Sequence, residues 1–228
     1  MPSKQSEAVR RRWEAARLAM AGEGEAPDDE SWGDLTAEPR EVDYLETEAG
    51  GRPAMWLVPK GSRTGRVILC LHGGGFVGGS IYTHRKLFGH LAKAVGARAL
   101  LVGYRLLPEG GGYPVPVDEA EAAYRWLLEQ GTEPGHIAFA GDPRDPLASP
   151  LHADLAGLGP VYIQVGGDET LLDDARSLDE HARKAGLDAR LDVFPGMLHT
   201  FQMAAGRAPE ADDAIRRMAA WLRPRLGL

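Results

Sequence analysis

Cysteine is almost missing from this chain: Cys70 is the single one in 228 residues, so no disulfide can form within it. A lone thiol inside an apolar run suits a reducing compartment, and the expectation is a cytoplasmic protein. Long apolar runs are missing too, and no segment approaches the ~20 residues needed to cross a bilayer. The opening MPSKQSEAVRRRWEAARLAM holds too much charge for the apolar stretch of a secretion signal. Nor is there an excess of positive charge. With 33 Asp and Glu against 26 Lys and Arg, the net charge of -7 offers no basic footprint for nucleic acid or anionic lipid. Internal repeats and low-complexity tracts are absent. Enough apolar residues remain, at 43%, to build one sizeable core.

What is present alternates. Val9, Trp13, Ala16 and Met20 recur at helical spacing near the start. The acidic, Gly- and Pro-bearing stretch GEGEAPDDESWGD then reads as a mobile connection. REVDYLETEAGGRPAMWLVPKG alternates apolar and polar residues about Gly50-Gly51, the pattern of a β-hairpin. RVILCLH is a short continuous apolar run, as in a strand buried on both faces. Helical HRKLFGHLAKAVG, strand ARALLVGYR, helix DEAEAAYRWLLEQG and strand HIAFAGD follow in turn. Beyond a Pro-rich link come strand PVYIQVGG, helix LLDDARSLDEHARKAG, strand ARLDVFPG and helix EADDAIRRMAAWLRPRL. Strands alternating with helices predict an α/β fold, a mostly parallel sheet with helices on both faces.

Three places carry chemistry. His72-Gly73-Gly74-Gly75-Phe76 directly follows the first buried strand. Successive glycines let backbone N–H groups turn inward, where they can hold the oxyanion of acyl transfer; a plain glycine turn or a phosphate loop is the alternative. Gly167-Asp168-Glu169 closes one strand, and Gly196-Met197-Leu198-His199 follows the next. Groups beyond the carboxyl ends of neighbouring strands can meet, so a carboxylate there could orient a histidine acting as general base and acid. Asp168 could equally cap the following helix. The third place is Tyr104-Arg105-Leu106-Leu107-Pro108-Glu109, where Arg105 and Glu109 read as an ion pair bracing a loop.

Taken together, HGGGF, the YRLLPE segment, Asp168 and the Gly-Met-x-His loop resemble the hormone-sensitive-lipase-like family of α/β-hydrolases, bacterial carboxylesterases and lactone hydrolases. The resemblance runs from about residue 40 to the end. It implies an α/β-hydrolase core over 41–228, interrupted after Asp142, with residues 1–40 as an N-terminal helical cap segment. It also implies His199 as base and acid, Asp168 as its orienter, and Gly73, Gly74 and Gly75 as the oxyanion hole. The substrate would be a small ester or lactone, with no cofactor, no metal, no nucleic-acid partner and possible homodimerisation.

One part of the family pattern is broken. The family places Gly-Asp-Ser-Ala-Gly after the strand that here reads HIAFA, whereas this chain has Gly141-Asp142-Pro143-Arg144-Asp145-Pro146. Pro143 has neither a nucleophilic side chain nor a backbone N–H. Asp145-Pro146-Leu147-Ala148-Ser149-Pro150-Leu151 resembles a family segment that normally lies much later. A deletion joining two Gly-Asp pairs would account for the joint. No replacement offers itself: Ser149 looks structural, Ser80 looks like a helix cap, and Cys70 reads as core. His72, His84, His90 and His199 contain no i, i+4 pair of the metalloprotease kind. The joint should also leave neighbouring strands uncovered and apolar surface exposed. The expectation is an ester hydrolase by family with little or no activity; the alternatives are a pseudoenzyme binding an acyl ligand or a protein, and an engineered deletion of an active esterase.

Overall fold

The computed structural model describes residues 2–25, 28–140 and 155–228. Pro143, Ser149 and the HADLAGL helix candidate's first three residues lie outside the described residues.

The hairpin forms as the alternation predicts: β1 (Val42–Ala49) pairs antiparallel with β2 (Arg52–Pro59). The continuous apolar run becomes β3 (Arg63–Leu71), parallel to β4 (Ala97–Val102) on one side and β5 (Ile137–Ala140) on the other. β2 pairs antiparallel with β4, so the first sheet runs β1-β2-β4-β3-β5. β6 (Val161–Gly166) and β7 (Ala189–Phe194) pair parallel in a second, two-stranded sheet.

Helices cover both faces of the first sheet. Alternate residues of β3 point opposite ways, and Val67, Ile68, Leu69 and Cys70 are all fully buried. Ile68 and Cys70 pack with α2 (Ile81–Val95) and α5 (Pro209–Arg225), through Phe88, Leu91, Ile215 and Leu222. Val67 and Leu69 pack with Ala123 and Leu127 of α3 (Val115–Glu129). α4 (Leu172–Lys184) covers the second sheet, its Ala182 packing with Leu155 and Ala189.

The first helix, α1 (Glu7–Met20), is docked rather than loose: Val9 is buried against Ala204, Ala208 and Ala211. The expectation of a mobile connection after it fails over residues 29–35, which form a 3-10 helix. Trp32 there stacks edge-on against Trp13 at 5.3 Å, and Lys86 donates to the Gly33 carbonyl at 3.1 Å. Aromatic packing and a cation on a carbonyl outweigh a polar, Gly-bearing composition. Ser80 caps α2 as expected, its hydroxyl accepting from the Tyr82 and Thr83 N–H groups. Cys70 is buried core, and burial pushes its thiol pKa well up, which keeps it protonated and unreactive.

Candidate functional site

The glycine-rich loop leaves β3 through His72, which is 3% exposed. Its ring stacks on Tyr104 at 4.3 Å, and the Tyr104 hydroxyl donates to the His72 carbonyl at 2.7 Å. His72 Nδ1 lies 3.0 Å from the Gly73 carbonyl, an acceptor, so Nδ1 carries the proton. Burial lowers its pKa, with the Gly73 contact opposing, so the ring is neutral near pH 7.

The loop demands glycine at two points. Gly74 has φ +131°, and a Cβ there would sit 2.1 Å from the Gly78 carbonyl oxygen. Gly79, at φ +84°, would place one 2.1 Å from the Gly73 carbonyl oxygen. The N–H groups are not equivalent. That of Gly73 donates to His84 Nε2 at 3.3 Å. Thr83 Oγ1 lies 2.7 Å from His84 Nδ1 while donating to the Ser80 carbonyl, so it accepts from Nδ1–H and leaves Nε2 as the acceptor. Among the described residues, no hydrogen bond occupies the N–H of Gly74 or Gly75. Gly73 therefore braces the loop, and the next two glycines hold the available donors.

The histidine's carboxylate differs from the expectation. His199 Nδ1 lies 2.7 Å from Oε1 of Glu169, not from Asp168. The Glu169 side chain is only 6% exposed, whereas that of Asp168 is 52% exposed and faces Arg10 at 3.8 Å. The turn after β6 explains the difference. Gly166 and Gly167 pack so closely on residues 194–197 that a Cβ on Gly166 would meet the Met197 oxygen at 2.3 Å. The Asp168 N–H then donates to the Met197 carbonyl at 3.0 Å, which pins that residue with its carboxylate outward. Glu169 turns inward instead, and its Oε2 accepts the Gly166 N–H at 2.7 Å. A carboxylate on Nδ1 fixes the proton there and leaves the basic lone pair of the neutral ring on Nε2.

Two further partners escaped the sequence reading. The Trp13 indole N–H donates to the His199 carbonyl at 2.7 Å, and its ring meets the imidazole edge-on at 5.7 Å. Its only signal was a tryptophan on the apolar stripe of the first helix. Glu119 is the second: Arg105 Nε donates to it at 2.7 Å and the Arg105 N–H at 2.8 Å. Glu109 instead accepts the Leu106 N–H at 3.3 Å, so the expected Arg105–Glu109 pair is replaced by Arg105–Glu119. A buried carboxylate on α3 offers the arginine a better partner than one within its own exposed loop.

A cavity of about 1190 Å³ joins these parts, with Gly73, His84, Glu169 and His199 all on its wall. Among the described residues, no cluster of three or more His, Cys, Asp or Glu could hold a metal ion, and no helix is long and apolar enough to cross a membrane.

Comparison with known proteins agrees with this plan. A family model for the alpha/beta hydrolase fold matches residues 68–143 and again 141–203, the two stretches sharing Gly141-Asp142-Pro143. An acetyl-hydrolase of Streptomyces hygroscopicus is 32% identical over 87% of each chain, and an esterase of Acinetobacter venetianus is 28% identical over 68% of this chain and 73% of its own. A crystal structure of an esterase from the bacterial hormone-sensitive lipase family is 30% identical, with a TM-score of 0.87 and all of both chains covered. The chain belongs to the α/β-hydrolases, an esterase-type hydrolase family. Its place there is the hormone-sensitive-lipase-like branch. The Streptomyces alignment spans 266 positions, yet 87% of 228 residues is about 198, so roughly 68 of those positions have no residue here.

Proposed function

We propose that this chain holds the base and oxyanion parts of a carboxylic-ester hydrolase site, for short-chain esters or lactones, without its nucleophile. The observation that carries the reading is the part-buried 2.7 Å contact between His199 Nδ1 and Glu169. In a complete site His199 Nε2 would take the proton of an attacking hydroxyl and return it to the leaving alcohol. Glu169 would hold the tautomer and stabilise the imidazolium, the role first expected of Asp168. The N–H groups of Gly74 and Gly75 would receive the developing oxyanion. Residues 1–40 would form a cap segment on a 41–228 core, a division supported by the Trp13 contact to the His199 carbonyl.

Pro143 stands where the family serine would be. Loss of the nucleophile in a serine hydrolase costs on the order of 10⁶-fold in kcat, so turnover near background is expected. The test is hydrolysis of p-nitrophenyl acetate together with intact mass after a fluorophosphonate probe. No adduct and no turnover is the expected result. A single adduct that disappears in His199→Ala would show that another serine has been recruited, and would overturn this reading.

The cavity favours a second reading, a non-catalytic binder of a small acyl ligand. Unchanged affinity for a short-chain ester analogue in His199→Ala would support binding without chemistry. A cytoplasmic location and a homodimer complete the proposal, supported by the unpaired, buried Cys70 and by exposed Leu45, Val77 and Phe139.

A further inference from the structure

We propose that the space between β5 and β6 is a strand-accepting slot, which binds an extended apolar segment supplied by another polypeptide. β5 is the last strand of the first sheet, and β6 belongs to the second. Among the described residues, neither strand pairs on the side facing the other.

The lining of the 1190 Å³ cavity shows that these edges face it. All four residues of β5 and the consecutive residues 161–165 of β6 line it. A strand seen face-on would contribute only alternate residues, so consecutive lining means that the backbone edge is presented. The slot is roofed by apolar side chains, among them Phe88, Leu91, Met218 and Trp221. Its volume exceeds the ~300–1,000 Å³ of ordinary small-molecule pockets.

The edges also select the occupant. Each presents a row of backbone donors and acceptors, and such groups need partners when covered. A small acyl ligand can occupy part of this cavity and still leave both rows unpaired. A peptide strand bonds β5 on one side and β6 on the other while its side chains meet the apolar roof. The family comparison points to the same occupant. The matched stretches meet at residues 141–143, directly after β5, and roughly 68 aligned positions of the Streptomyces acetyl-hydrolase have no residue here. Because the family match splits at this point, the occupant is a polypeptide bearing the family segment that lies between the two matched stretches. The slot rests on strand edges and does not depend on the ester-hydrolase reading.

The test uses the full chain and, as a separate polypeptide, the fragment of the Streptomyces acetyl-hydrolase that aligns opposite the joint. Calorimetry should show one-to-one binding, and hydrogen exchange at residues 137–140 and 161–166 should slow by at least about tenfold. Phe139→Asp and Leu158→Asp, at positions 59% and 55% exposed, should keep the fold and weaken binding tenfold or more by placing a charge on the slot. No binding at ~100 µM fragment, binding without protection of both edges, or binding undiminished in both variants would overturn the proposal. For a fragment insoluble alone, co-expression decides: co-purification lost in Phe139→Asp supports the slot, and no co-purification with both polypeptides produced refutes it. Bound fragment that restores no ester hydrolysis would leave the slot standing and count against the ester-hydrolase reading.

Discussion

Two adjacent carboxylates, Asp168 and Glu169, show how much one residue's direction decides. Nothing in the local sequence says which of them turns inward; the backbone bond from Asp168 to Met197 does. Glu169→Gln should cost about 1–3 kcal/mol of stability, the usual range for a buried bond to a charged group. It should also release the fixed Nδ1–H tautomer of His199, read from the ring nitrogen shifts by NMR. Asp168→Asn should leave the tautomer alone and change stability by less than about 0.5 kcal/mol. The reverse pattern would restore Asp168 as the orienter. His72 gives a pH signature of its own. Its pKa is lowered in the folded state by burial, so the unfolded chain takes up the proton first as pH falls. That contribution to stability is complete above the unfolded value of ~6.5 and is lost on acidification below it. Urea midpoints at pH 7.5 and 5.5 should therefore converge in His72→Gln relative to wild type.

Elements were the most legible level. The continuous run RVILCLH predicted a strand buried on both faces, and the Gly50-Gly51 pair predicted the hairpin between β1 and β2. Hydrophobic periodicity is a local signal, and it survives because each element buries the face its sequence marks. What the sequence hid is which neighbour presses on each turn. Gly50 and Gly51 both have positive φ, at +59° and +78°. A Cβ on Gly50 would lie 2.5 Å from the Ala122 backbone, however, while one on Gly51 meets nothing within 4 Å. Gly51→Ala should cost only the left-handed strain, about 1–3 kcal/mol. Gly50→Ala should cost clearly more, since α3 must move; equal thermal shifts would refute the close approach. Ser80→Ala, which removes the cap of α2, should cost about 0.5–2 kcal/mol in chemical denaturation.

At the scale of the whole molecule, the departure from the family's elbow motif at Gly141-Asp142-Pro143 is legible one letter at a time, and the two stretches of the family match share those residues. The division of strands between two sheets is not legible, since pairing depends on partners distant in sequence. The chain should enhance the fluorescence of an anilinonaphthalene sulfonate dye under native conditions, through the apolar cavity between β5 and β6. An emission no higher than that of a compact control protein would show the cavity closed in solution.

The bond between Trp13 and the His199 carbonyl joins residues 186 positions apart. During synthesis α1 emerges long before Ala204, Ala208 and Ala211, the residues that bury Val9. A helix of 14 residues is marginal in water by itself, so α1 must wait for residues 204–211 before it can settle. Nascent chains arrested before residue 196 should accordingly be cut by protease within α1, and released 228-residue chains should resist; early protection would mean that α1 finds another partner first.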